Sequence, residues 1–144
     1  MELLVASATV LGVAILAVVV LRSESHQRNK KFEAVFSGRE QLSIDQFYER
    51  YFKARGIPLH VVSGVRKIVE EQLLADMSRL TDTDDFSKNL NFFFDFDSMV
   101  DVEIVCALEK EFGIEISDEE AINTKTINDM MQLVCRKLEV KDAA

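Results

Sequence analysis

The stretch FDSMVDVEIVCALEKEFGIEISDEEA, from Phe96 to Ala121, decides the fold. Ile104, Val105, Leu108 and Phe112 fall on one face at the 3.6-residue period, which predicts an amphipathic helix from Asp97-Ser98 to Phe112, stopped by Gly113. Ile114-Glu115-Ile116 follows as a short extended link. Ser117 then begins a second helix, because a hydroxyl can cap the free N–H groups while Asp118, Glu119 and Glu120 complement the helix dipole.

The flanks repeat this pattern. Val61, Val62, Val65, Ile68, Val69, Gln72 and Leu73 form another helical stripe, with Pro58 suited to its first turn. A last helix starts after Thr126 and is expected to bury Ile127, Met130, Met131, Val134 and Leu138. Upstream, the capping-box sequence Ser43-Ile44-Asp45-Gln46 opens a short helix over about 44–53, ended by Gly56. Thr81 to Asp85 (TDTDD) interrupts the pattern as an acidic loop. No strand alternation and no repeat is found, so the fold class is all-α.

The N-terminus is of a different kind. Leu3 to Leu21 (LLVASATVLGVAILAVVVL) holds 16 Ala, Val, Ile or Leu residues in 19 positions and no charge. A helix of that length covers about 28 Å, close to the hydrocarbon thickness of a bilayer. The start carries Glu2 and no basic residue, which argues for a retained anchor over a cleaved signal. Arg22, Arg28, Lys30 and Lys31 follow the span, so the positive-inside rule keeps the body of the chain in the cytoplasm of a single-pass cell-membrane protein. The expected organisation is an anchor over 1–22, a juxtamembrane linker with a short helix over 23–57 and a helical bundle over 58–140.

Charge and cysteine usage remove several function classes. The chain of 144 residues carries 17 basic and 25 acidic side chains, net −8, which excludes general nucleic-acid binding. Cys106 and Cys135 make neither a disulfide framework nor a metal motif and agree with a reducing compartment. Asp82-Thr83-Asp84-Asp85 lacks the glycine and the position-12 glutamate of a calcium loop. His26 and His60 stand alone, so no metal site is expected. Ser98 lacks the GxSxG surroundings of a hydrolase nucleophile.

Together, the tripeptide Asp97-Ser98-Met99, the helix Val102-Glu103-Ile104-Val105-Cys106-Ala107-Leu108-Glu109-Lys110-Glu111-Phe112 and the turn Ile116-Ser117-Asp118-Glu119-Glu120-Ala121 resemble the acyl carrier protein family over about residues 60–140. The resemblance implies a four-helix bundle, here preceded by one transmembrane helix and a helical linker. It implies a carrier, not an enzyme, bearing 4′-phosphopantetheine in phosphodiester linkage to Ser98, with Asp97 and Met99 beside it. The acyl or similar thioester on that arm belongs to fatty-acid or polyketide biosynthesis. The implied partners are a phosphopantetheinyl transferase and acyl synthases or acyltransferases with basic docking patches, met by Glu103, Cys106 and Glu109. Independently, a helix N-terminus is a good place for a phosphate. A serine there is also an ordinary N-cap, and the flanking match favours modification.

Two departures qualify the resemblance. Leu90 to Asp97 runs some four residues longer than the family spacing and holds Phe92, Phe93, Phe94 and Phe96, which add to the core or fill the space that would shelter an acyl chain. With Ser98 taken as 0° and about 100° per residue, Val100, Glu103, Cys106 and Lys110 share one exposed side, where Val100 and Lys110 replace expected acids, and Asp101 lies nearer the core. These departures keep a second reading open: an unmodified, membrane-anchored adaptor domain with the same fold.

Overall fold

The computed structural model describes residues 1–144, apart from the side chain of Glu2. Among the described residues there is no strand; an isolated bridge joins Asp85 to Thr126. The chain divides into two compact units, 1–35 and 36–144.

The first unit is helix α1, Glu2–Phe36, less its final residue. It is long and apolar enough to cross a membrane, and its apolar window is wholly exposed. Both polar side chains in that window are satisfied within the helix. The Ser7 hydroxyl donates to the Leu4 carbonyl, and that of Thr9 to Val5 and Ala6, as a hydrocarbon environment requires.

The second unit holds helices α2 (Ile44–Tyr51), α3 (Leu59–Leu73), α4 (Val100–Phe112), α5 (Asp118–Asn123) and α6 (Ile127–Asp142). Helix α3 is its centre and packs on α2, α4 and α6. It buries the expected Val61, Val62, Val65, Ile68, Val69 and Leu73. Removing each such side chain from water contributes about 1.5–3 kcal/mol. Capping boxes form at Ser43/Gln46, Ser117/Glu120 and Thr126/Asp129, each hydroxyl accepting the N–H three residues on. At the other end of α4, Gly113 takes φ +60°, a left-handed conformation that a side chain would strain.

Whether residues 32–56 pack on the bundle was not legible in the sequence. Phe36, Leu42, Phe47, Phe52 and Ile57 are all buried in the second unit. Phe47 meets Tyr51 and Phe52 edge-to-face at 5.4 and 5.3 Å, a favoured aromatic geometry. The Leu42 N–H donates to the Ser78 carbonyl, and the Arg66 guanidinium donates to the carbonyls of Leu42 and Ser43.

Two expectations need correction. First, α4 begins at Val100, not at Asp97-Ser98. Ser98 lies outside the helix, so angles counted from it do not give the helix phase. Val100 is therefore 1% exposed and continues the buried row of Ile104 and Leu108 at four-residue spacing, while Asp101 is exposed. Second, α6 buries Leu133, whereas Leu138 is half-buried. The acidic loop, in addition, is drawn inward: Asp82, Asp84 and Asp85 are buried. Carboxylates leave water only with compensating charges and donors. Arg39 pairs with Asp84 at 2.8 Å and Arg55 with Asp82 at 2.7 Å. The Ser87 hydroxyl and N–H both donate to Asp85, at 2.6 and 2.7 Å, and hold its carboxyl below the usual carboxylate range.

Candidate functional site

The Asp97-Ser98-Met99 tripeptide is a turn pinned on both sides. Before it, a 3-10 turn over Asn91–Asp95 buries Phe93 to 3% exposure, and the Asp97 N–H donates back to the Phe93 carbonyl at 3.1 Å. After it, Val100 is sunk in the core. Between these anchors Ser98 and Met99 are exposed. The Asp97 carboxylate accepts the Met99 N–H at 2.9 Å, a side-chain-closed turn that fixes the chain around Ser98. A hydroxyl presented this way is open to another macromolecule.

Ser98 is not the N-cap. That position falls to Met99, which provides no side-chain cap, and in the first turn of α4 the Val102 N–H donates to the Asp101 carboxylate at 2.8 Å. Free N–H groups and the positive end of the dipole therefore stand one residue beyond the Ser98 hydroxyl, an arrangement that suits a phosphate ester. The charge of Asp97 raises the pKa of Glu103, one turn into α4, above the usual carboxylate value.

Of the docking residues expected from the sequence, Glu103 and Cys106 are exposed. Glu109 is half-buried and its carboxylate accepts the Ile116 N–H at 2.8 Å, so it also holds the link between α4 and α5. Lys110 is exposed.

An open cleft of about 450 Å³ lies between α4, α5 and α6, beginning at Asp101 and Val102 just past the serine. Val105, Ile116, Ala121, Ile122 and Leu133 give it an apolar lining, with Cys106 and Glu109 also on its wall. Residues 92–96 do not line it, which answers the question raised by the aromatic insertion. Phe93 instead turns into the core and stacks on Phe92 at 4.2 Å. The sequence missed the cleft because its lining comes from three helices. A spacing rule within one helix cannot reveal it.

Comparison with known proteins agrees with this geometry. Residues 63–134 match the family described as "Phosphopantetheine attachment site". The acyl carrier protein of Thermosynechococcus vestitus is 37% identical over 78 residues, 54% of this chain and 91% of the relative. That of Caulobacter vibrioides is 38% identical over 77 residues, 54% of this chain and 94% of the relative. The acyl carrier protein of Phenylobacterium zucineum is 38% identical over 78 residues, with the same two shares. The chain belongs to the acyl carrier protein family: it is a carrier that bears covalently attached 4′-phosphopantetheine, and not an enzyme.

Proposed function

We propose that this protein is a membrane-tethered acyl carrier that holds an acyl or similar thioester on 4′-phosphopantetheine esterified to Ser98. The observation that carries the reading is the exposure of Ser98 between two buried anchors, Phe93 and Val100, at an uncapped helix N-terminus. When bound, the arm supplies the thiol on which acyl groups travel. The chain's own residues do the rest. Asp97 holds the turn, the first N–H groups of α4 would hold the phosphodiester, and the apolar cleft would keep a hydrocarbon chain from water.

Helix α1 supports tethering at the cell membrane, with the carrier unit on the cytoplasmic side that Arg22, Arg28, Lys30 and Lys31 favour. A tethered carrier is held at high local concentration near membrane-bound acyl synthases and acyltransferases. The exposed Glu103 and the first-turn acids of α5 suit basic patches on such partners. Cys106 is exposed on the same helix, on the wall of the cleft.

Intact mass after co-expression with a phosphopantetheinyl transferase tests the attachment. Wild type gains the adduct and Ser98→Ala does not. An adduct retained in Ser98→Ala would place the arm elsewhere, and none on wild type would favour the adaptor reading. Fractionation tests the tether: the full chain sediments with membranes, and deletion of residues 2–21 moves it to the soluble fraction.

A further inference from the structure

We propose that Arg39 and Arg55 are positioning residues for the serine turn, a role that rests on the reading of Ser98 as the attachment point. Both stand upstream of the family-matched residues 63–134, and both grip the loop that leads to that turn.

The connection can be followed atom by atom. The Asp84 carboxylate, 2% exposed, accepts four hydrogen bonds. Arg39 Nη1 donates to both its oxygens at 3.0 and 2.8 Å, the Thr81 N–H at 2.8 Å and Asn89 Nδ2 at 2.6 Å. Asn89 Oδ1 in turn accepts the Asp85 N–H at 2.8 Å, and the Leu90 N–H donates to the Asp85 carbonyl at 3.0 Å. Leu90 is fully buried and leads into the 3-10 turn whose Phe93 carbonyl receives the Asp97 N–H. A second grip closes a triangle with α6. Arg55 donates to Asp82 at 2.7 Å and to Asn128 Oδ1 at 2.8 Å, while the Asn128 N–H donates to the Asp82 carbonyl at 2.9 Å.

The two guanidinium groups are themselves held in place. Arg39 lies over the buried Phe36 ring at 5.1 Å, and Arg55 over the buried Phe52 ring at 5.8 Å. Rings and cations are therefore arranged before any transferase arrives. Without Arg39, the Asp84 carboxylate is left buried without its cation. It then turns toward water, and Asn89 and Leu90 lose their fixed places. The serine turn spends part of its time in other shapes. A transferase that needs one shape binds with an affinity reduced by the competent fraction, while its turnover once bound is unchanged.

The full chain in lipid nanodiscs, as wild type, Arg39→Met, Arg39→Lys, Arg55→Met and Lys53→Met, gives the test. Lys53 pairs with Glu49 at an exposed site in the same upstream segment and serves as the control. Amide hydrogen exchange over residues 85–97 is expected to quicken about tenfold or more in Arg39→Met and Arg55→Met, with residues 131–138 of α6, beyond the turn that Arg55 touches, unchanged. The KM of a phosphopantetheinyl transferase for the protein rises about fivefold while kcat stays within about twofold. Arg39→Lys falls between, and Lys53→Met matches wild type. Equal quickening over residues 131–138 of α6, or a KM that does not move in either arginine variant, overturns the proposal. If Arg39→Met does not fold, Arg39→Lys and Arg55→Met decide it on the same readouts. Loss of loading in wild type, or loading that survives Ser98→Ala, removes the attachment reading instead, and the exchange data still report on the clamp.

Discussion

Gly64 of α3 lies against the ring of Phe112 at the end of α4: a Cβ at position 64 would stand 2.7 Å from the ring's Cζ. The helix crossing is as close as it is because no side chain intervenes. Gly64→Ala sets two effects in opposition. Alanine favours the helix by about 1 kcal/mol over glycine, while forcing an extra carbon into a packed contact costs about 1–3 kcal/mol. The contact wins, so Gly64→Ala lowers the melting temperature. In a Phe112→Leu background the ring is gone and the same substitution raises it. Circular dichroism melts of the four proteins check the reversal.

The start of α6 depends on one hydroxyl. Thr126 Oγ1 accepts the Asp129 N–H at 3.0 Å, and the Asp129 carboxylate accepts the Thr126 N–H at 2.9 Å. Thr126→Ala is expected to cost about 1 kcal/mol in urea unfolding and Thr126→Ser a few tenths.

Glu120 gives a pH dependence with a definite sign. The Lys137 ammonium at 2.8 Å, aided by the Ser117 N–H, lowers its carboxyl pKa to about 2. A depressed folded-state pKa means stabilisation that is present above the ordinary glutamate value and lost as the pH falls toward 2. Glu120→Gln can keep the Ser117 capping box but not the ion pair. It should melt below wild type at pH 6, and the gap should close between about pH 4.5 and 2.

The Asp97–Glu103 pair predicts the opposite sign. The charge of Asp97 raises the pKa of Glu103, so the folded state favours its protonated form. That stabilisation is present below the unfolded pKa and is lost as the pH rises through the raised value. Asp97→Asn keeps an acceptor for the Met99 N–H and removes the charge. In a carboxyl NMR titration the Glu103 pKa should fall toward its ordinary value. The melting temperature of Asp97→Asn relative to wild type should be higher at pH 7 than at pH 3.

The parts of this fold that were legible in the sequence are those set by neighbours within one turn. The capping box at Ser43, the cap at Ser117, the start of α6 after Thr126, the stop at Gly113 and the apolar stripe of α3 all depend on residues within about one turn. The failures share the opposite property. Asp84 and Asp82 find their cations 45 and 27 residues upstream, and the composition of TDTDD alone gives no sign of them. Val100 was misplaced because the helix phase was anchored on Ser98, which the turn-forming carboxylate of Asp97 keeps out of α4. At the site, the tripeptide and its exposed glutamate could be read directly, while the cleft required the assembled helices.

The interior acids of the loop have a consequence for how this carrier can be reused. Because the cations of Asp84 and Asp82 come from residues 39 and 55, a copy of residues 58–144 grafted onto another protein would leave both arginines behind. Self-contained carriers can be shuffled between assembly lines as cassettes. Here the minimum transferable piece must reach back to Phe36, whose buried ring lies under the Arg39 guanidinium.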